Sequence, residues 1–170
     1  NDALWHDGKP VTAEDVLFTI RSIQTPEYSS PLASAFQGVV VEKVDDYTIR
    51  FTLQKTPYAP FLSSLTVGIV PKHVWENVPP RNAGLAEQEL KPVGSGPFKF
   101  KELITKKKTG ETTSISFVRN DAYYGDKPYL ADVVFNFFDT HEAAISALTS
   151  GKVDGAGYLP TSLLSSVHNR

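Results

Sequence analysis

The stretch that most constrains the fold is residues 92–97 (PVGSGP), where two glycines lie between two prolines. Glycine adopts backbone angles that other residues avoid, and proline fixes its own φ angle and donates no backbone hydrogen bond. The residues that follow, 98–103 (FKFKEL), alternate between apolar and charged, which predicts a half-buried strand. The stretch is either a tight loop before this strand or a joint between two structural units, and the local pattern leaves both interpretations open.

Composition excludes several classes of function. With 41% hydrophobic and 21% charged residues among 170, the chain has the composition of an ordinary globular protein. A net charge of -2 lacks the basic excess of a nucleic-acid-binding protein, so we expect no nucleic-acid partner. Cysteine is absent, and no run approaches the roughly 18–20 apolar residues of a membrane span, so we expect no direct membrane insertion. Because the chain opens at Asn1 and contains no methionine, we expect that it does not begin at a native start.

Two elements are predicted clearly. Thr12 is a good N-cap for a helix that has Asp15 at its third position and continues to about Gln24, where Thr25 and Pro26 stop it. Residues 37–53 form a β-hairpin of alternating apolar and polar residues that turns at 45–46.

The remaining pattern predicts shorter elements. We expect one helical turn within 29–36, helices over 58–65, from 71, within 79–91, over 140–151 and over 160–167, and strands over 66–70, 97–104, 112–119, 133–138 and 153–156. Because the joint at 92–97 lies between them, the hairpin 37–53 is expected in a sheet separate from the one that contains 97–104 and 132–138.

The sequence contains few of the patterns that indicate catalysis. The chain has no phosphate-binding glycine loop, no HExxH and no GxSxG, and we predict no catalytic residue, no metal site and no cofactor. Glu14 and Asp15 have a simpler role at a helix start, and Trp5 and Trp75 are expected to pack in a core or a lid rather than to serve as stacking platforms. The four histidines are scattered and are expected to be solvated surface residues: His6, His73, His141 and His168.

Six landmarks follow one another in an order that resembles a known family. They are residues 5–16 (WHDGKPVTAEDV), 45–53 (DDYTIRFTL), 69–73 (IVPKH), 92–98 (PVGSGPF), 119–128 (RNDAYYGDKP) and 147–154 (ALTSGKVD). No single landmark is decisive, but their succession resembles the extracellular solute-binding proteins of family 5, the peptide/nickel-type receptors of ABC transporters.

The resemblance implies a fold class and a division of the chain. It implies an α/β fold of mixed α+β character, similar to type II periplasmic binding proteins, in which two lobes close on a ligand. Residues 1–93 are expected to form the small accessory subdomain of lobe one, and residues 94–170 part of its main sheet-bearing subdomain. Family members are much longer, so the resemblance implies that this chain is a fragment of the first lobe.

The resemblance also implies a function without chemistry. Such a receptor captures oligopeptides or a similar small solute outside the cytoplasmic membrane and delivers it to the permease subunits of an ABC transporter. The implied location is periplasmic or extracellular, with lipid anchoring to the cell surface left open. The alternatives are nickel chelates, haem, opines or oligosaccharides as ligands on the same scaffold, a hydrolase fragment, or a structural interaction module.

Ligand contacts of lobe one are implied at three places by motif position: the loop after the first helix, the segment before Pro71, and the turn after Asp154. The candidate residues are Leu32, Ser34, Ser64, Thr66, Gly157 and Tyr158. Their small polar groups and backbone can bond a ligand main chain, and the Tyr158 ring is amphipathic. The alternative is that Leu32 is a core residue and that Ser34 and Ser64 are ordinary helix-surface residues.

Overall fold

The computed structural model describes residues 2–54 and 61–163. Its α-helices are α1 (Ala13–Gln24), α2 (Phe61–Ser64), α3 (Lys72–Trp75), α4 (Glu87–Leu90) and α5 (His141–Thr149). Its strands are β1 (Val39–Asp45), β2 (Thr48–Leu53), β3 (Phe98–Thr105), β4 (Thr112–Arg119) and β5 (Asp132–Asn136). Short 3₁₀ helices cover Pro26–Tyr28, Ala33–Phe36 and Pro80–Leu85.

The chain divides into two compact units. The first unit comprises Asn1–Phe100 and Phe117–Asp132, and the second comprises Lys101–Ser116 and Val133–Arg170. The first unit includes residues 94–100, and the expected subdomain boundary between residues 93 and 94 stays a prediction.

Helix α1 begins and ends where the sequence predicts. The Thr12 backbone N–H donates to Oδ2 of Asp15 at 2.9 Å, which satisfies a donor at the helix start. The helix ends at Gln24 because Thr25 takes an extended conformation ahead of Pro26.

The core of the first unit lies between α1 and the β1–β2 hairpin. In β1 the side chains of Val39 and Val41 are buried, whereas Val40 between them is 41% exposed, which is the alternation expected of a half-buried strand. The Phe61 ring of α2 meets the rings of Phe36 and Phe51 edge-on, at centroid distances of 5.9 and 5.7 Å. The buried core cluster consists of Ile20, Ile23, Phe36, Val39, Val41 and Phe61.

The strands form two separate sheets, as the joint predicted. Strands β1 and β2 pair antiparallel, with Val39 opposite Leu53 and Val41 opposite Phe51. Strands β3, β4 and β5 form a different sheet in that order. The predicted separation of the hairpin from the later strands is therefore confirmed.

The predicted strand over residues 66–70 is wrong, because the segment bonds to a helix rather than to another strand. The backbone N–H of Val70 donates to Thr19 Oγ1 at 2.9 Å, and that of Lys72 donates to Asp15 Oδ1 at 2.8 Å. Both acceptors are side chains of α1. The segment leads into α3, for which Pro71 is the N-cap.

The predicted strand over residues 153–156 is also wrong. The N–H groups of Lys152 and Val153 donate back to the Ala147 carbonyl of α5, at 2.9 and 3.4 Å. These bonds close the end of the helix at Gly151, whose φ of +73° suits glycine. Residues 164–167 of the predicted helix over 160–167 lie outside the described residues, and so do residues 58–60 of the predicted helix over 58–65.

A buried carboxyl group joins three segments of the first unit. Asp15 is 4% exposed and accepts hydrogen bonds from the Trp5 indole N–H (3.2 Å), the Thr12 backbone (2.9 Å) and the Lys72 backbone (2.8 Å). The bonded segments are the N-terminal turn, the start of α1 and the start of α3. Trp5 is 2% exposed, which confirms its prediction as a core residue.

The glycine-proline joint is held by His6. The His6 backbone N–H donates to the Gly94 carbonyl at 2.7 Å, and the Gly94 N–H donates to His6 Nδ1 at 3.1 Å. Since Nδ1 accepts, Nε2 carries the proton and donates to the Gly96 carbonyl at 3.1 Å. The Asn120 amide donates to the same carbonyl at 3.1 Å. The expectation that His6 is a solvated surface histidine is therefore wrong.

Replacing Asp15 tests the buried carboxyl group. In Asp15→Ala the Trp5 indole and the Lys72 N–H lose their acceptor, so we expect the free energy of unfolding to fall by about 3 kcal/mol. Urea unfolding followed by circular dichroism measures this loss. The control is Glu14→Ala, whose exposed side chain pairs with Lys43 and Lys72 at the surface and should cost little. Equal losses in the two variants would contradict the assignment.

Acidification should loosen the joint through His6. Burial lowers the pKa of His6, and the Lys99 charge lowers it further, while the Gly96 hydrogen bond and Asp7 oppose the shift. At pH values near and below about 6.5, the ordinary pKa of histidine, the His6 imidazole is therefore protonated to a greater extent in the unfolded chain than in the folded chain. Stability should fall as the pH drops from 7 through the lowered pKa of the folded state.

The measurement is urea unfolding of wild type and His6→Gln across pH 5–7, with a smaller loss expected in the variant. The neighbouring Asp7 does not titrate in this window. Partial burial opposes the shift, but the His73 hydrogen bond outweighs it and holds the pKa of Asp7 below its usual value. An unchanged pH profile in His6→Gln would exclude His6 as the source.

Candidate functional site

The first candidate segment follows α1 and carries Leu32 and Ser34. Leu32 is 42% exposed and precedes the 3₁₀ helix Ala33–Phe36, in which Ser34 is exposed. The Leu32 N–H donates to Ser30 Oγ at 3.3 Å, which shapes the turn before the helix. The alternative interpretation of Leu32 as a core residue is therefore wrong, while Phe36 at the other end of the helix is fully buried.

A concave surface that encloses a volume of about 510 Å³ lies beside Ser34. Its described lining carries no charged side chain and consists of Gln24, Ala33, Ser34, Phe36, Gln37 and Gly38. Gly38 has a φ of +74°, so the chain turns sharply there into β1. The surface offers hydroxyl, amide and backbone groups, which bond neutral polar groups of a ligand.

The second candidate segment comprises the end of α2 and the turn after it, and carries Ser64 and Thr66. Ser64 is partly buried at the end of α2, and the exposed Thr66 donates its hydroxyl hydrogen to the Ser63 carbonyl at 2.9 Å. The elements that carry the two segments pack together in the first unit, because Phe61 of α2 contacts Phe36 of the 3₁₀ helix with ring centroids 5.9 Å apart.

The backbone beyond Thr66 has unused donors. Within the described residues, the N–H groups of Val67, Gly68 and Ile69 donate no hydrogen bond, while Val70 is held by Thr19. A non-helical segment with unpaired backbone N–H groups resembles the edge of a sheet in its bonding capacity.

The third candidate segment, Gly157 and Tyr158, belongs to the second unit. The Tyr158 side chain is fully exposed, and its φ of +58° places it in the left-handed region, which is uncommon for a residue other than glycine. The segment follows α5, whose N-terminus is capped by the Thr140 hydroxyl accepting from Ala143 N–H at 3.1 Å.

Charged residues of the landmark at 119–128 bond one another. Asp121 accepts from Arg119 Nε at 3.0 Å and from Lys127 Nζ at 2.8 Å. The hydrogen bond from Lys127 and, to a smaller extent, the one from Arg119 hold the pKa of Asp121 below its usual range. Arg119 also donates to the Pro128 carbonyl at 3.3 Å. The landmark is thus a self-bonded loop, which explains its residue types without a ligand.

The described part of the chain contains neither a cluster of metal-binding side chains nor a membrane-spanning helix. Within 2–54 and 61–163, no three His, Asp or Glu side chains lie close enough together to hold a metal ion. None of the helices in these ranges combines the length and the apolar character of a membrane span.

The fold is that of part of a type II periplasmic binding protein, which confirms the expected class. The chain belongs to the bacterial extracellular solute-binding proteins of family 5, since the profile of the family's middle region matches residues 1–170.

The oligopeptide-binding protein AppA of Bacillus subtilis is 36% identical over 155 residues, which cover 88% of this chain and 27% of AppA. The structure of AppA with a nonapeptide matches with a TM-score of 0.77 at 34% identity, over 89% of this chain and 29% of AppA.

Two other solved structures share the fold. NikZ of Campylobacter jejuni, in complex with Ni(L-His), matches with a TM-score of 0.83 at 32% identity, over 99% of this chain and 32% of NikZ. A periplasmic oligopeptide-binding protein of Thermotoga maritima, bound to mannohexaose, matches with a TM-score of 0.77 at 26% identity, over 97% of this chain and 31% of that protein. The chain thus spans between about a quarter and a third of the length of these relatives.

Proposed function

We propose that this chain is part of the first lobe of the substrate-binding component of an ABC transporter. The receptor captures oligopeptides or a similar small solute outside the cytoplasmic membrane, in the periplasm or at the cell surface, and delivers it to the permease without chemical change. The observation that carries the proposal is the 36% identity to an oligopeptide-binding protein over 88% of the chain.

The chemistry of the candidate segments supports a peptide ligand. A peptide main chain needs donors and acceptors at regular intervals, and the N–H groups of Val67, Gly68 and Ile69 supply donors next to Thr66. Leu32 and Ser34 add an apolar contact and a hydroxyl group, with no charged group in the described lining to select one side chain. Ser64, Gly157 and Tyr158 complete the proposed set of lobe-one contacts.

A metal chelate is the second candidate ligand. The observation that favours it is the match to NikZ, which covers 99% of this chain with a TM-score of 0.83. In Ni(L-His) the free histidine itself supplies ligands to the nickel, so fewer metal-binding side chains are required of a protein that binds it.

Native mass spectrometry of the full-length receptor distinguishes the two ligands. We expect a series of adducts with the masses of short peptides on receptor purified without refolding, and no stoichiometric nickel by elemental analysis of the same sample. The matched control is receptor stripped of ligand by denaturation and refolding, which should lose the adducts. Nickel at one atom per receptor, with no peptide adduct, would contradict the peptide assignment.

Substitutions at two of the proposed contacts test the surface in the full-length receptor. Thr66→Trp places a large ring next to the unpaired N–H groups of residues 67–69. Tyr158→Ala removes an exposed ring. Each is expected to weaken binding of the co-purified peptides about tenfold, or about 1.4 kcal/mol, by calorimetry. The melting temperature should stay nearly unchanged because both side chains are exposed.

The control is Thr66→Ser, which keeps the hydroxyl group that bonds to the Ser63 carbonyl and should bind like wild type. Wild-type affinity in both Thr66→Trp and Tyr158→Ala would show that these residues do not face the ligand.

A further inference from the structure

Gln24 holds the loop that carries the first candidate segment. Its side-chain Nε2 donates to the carbonyl of Phe36 at 2.9 Å and to the carbonyl of Val39 at 2.8 Å. Both partners are acceptors, so the amide orientation is fixed and both of its hydrogens are used. The two carbonyls lie on either side of Gln37 and Gly38, so a single side chain spans the turn between the 3₁₀ helix and β1.

The rest of this loop is held weakly. The 3₁₀ helix Ala33–Phe36 has local hydrogen bonds, from Ala35 N–H to the Leu32 carbonyl at 3.0 Å and from Gln37 N–H to the Ser34 carbonyl at 3.4 Å. Bonds of this short-range kind have poor geometry and stabilise little by themselves. The buried side chains of Phe36 and Val39 fix the two ends of the turn, and the exposed Gln37 and Gly38 between them are not packed in the core.

Helix α1 provides a firm support for Gln24. Ile20, one turn before the end of the helix, and Ile23, next to Gln24, are buried in the core, and Asp15 ties the start of the helix to two other segments. Gln24 is the last residue of α1, so its side-chain hydrogen bonds attach the loop directly to this well-supported helix. An amide at this position acts as two fixed donors on a rigid element, which is the arrangement that keeps a binding loop in one conformation.

We propose that Gln24 is a positioning residue for the ligand surface, which fixes the backbone of residues 36–39 and through it the placement of Ser34 and Leu32. This inference rests on the proposed function, because it assigns Gln24 a part in ligand affinity. A merely structural role would stabilise the loop without changing affinity. Pre-ordering the loop matters for affinity because binding then spends no free energy on immobilising it.

The test is Gln24→Met in the full-length receptor. Methionine keeps the length and volume of the side chain but removes both donors. With peptides eluted from the wild-type receptor as the probe, we expect the dissociation constant to rise about tenfold by calorimetry. Hydrogen exchange of the ligand-free protein should become faster over residues 33–39.

The matched control is Thr25→Val at the same helix end. It removes the bond from Thr25 Oγ1 to the Arg21 carbonyl, 2.7 Å long, which joins the residue after α1 to the last turn of the helix and does not reach the loop. This variant should keep wild-type affinity and wild-type exchange over residues 33–39. The melting temperatures of the two variants show whether their losses of stability are comparable.

The outcomes are separable. Wild-type affinity in Gln24→Met, or an equal loss of affinity in Thr25→Val, would overturn the positioning role. Hydrogen exchange over residues 33–39 that is as slow in Gln24→Met as in the wild type would overturn it as well. That readout needs no ligand. A wild-type receptor from which no peptide elutes would contradict the peptide assignment of the proposed function, and that result is obtained from the wild type alone, before either variant is measured.

Discussion

The hydrogen bonds to Asp15 are the interaction on which the first unit depends. A carboxyl group that is 4% exposed must have its oxygens satisfied, and here the donors come from Trp5, Thr12 and Lys72. Trp5 lies 10 residues before Asp15 and Lys72 lies 57 residues after it, so one side chain fixes the N-terminal turn, the start of α1 and the start of α3 at once. Thr19, one turn along the helix, adds the bond to Val70. The position of the segment after Thr66 therefore follows from α1, not from a neighbouring strand.

The same reasoning explains why the family can be identified without knowledge of its ligand. The landmark residues bond mainly to one another: His6 to the joint, Asn120 to the joint, and Arg119 and Lys127 to Asp121. They define a scaffold, and nothing in these bonds specifies a solute. Relatives with this scaffold are bound to a nonapeptide, to Ni(L-His) and to mannohexaose, which is the variety expected if the landmarks and the ligand contacts are separate sets of residues.

The sequence predicts the parts of the fold whose causes are local. The cap at Thr12, the proline stop after Gln24 and the alternation in β1 are all readable, and the Gly/Pro joint correctly separates the two sheets. The errors come from bonds between distant residues. The segment 66–70 has the composition of a strand, but its backbone bonds to Thr19, and the partners of His6 are about ninety residues away. Gln24 was missed for the same reason: a glutamine at the end of a helix gives no sign in the sequence that two carbonyls lie within its reach.

The candidate surface and the scaffold differ in how their backbone groups are satisfied. Regular strands use their N–H and carbonyl groups on each other, and such a strand has little left for a ligand. Here the loop at 36–39 and the segment up to Val70 are held by side chains of α1, namely Gln24 and Thr19. Side-chain anchoring fixes an irregular backbone at a few points and leaves its other polar groups available, among them the N–H groups of Val67, Gly68 and Ile69 within the described residues. A rigid helix that positions irregular segments can thus offer main-chain groups to a ligand without selecting its side chains, and relatives with different ligands can retain one scaffold.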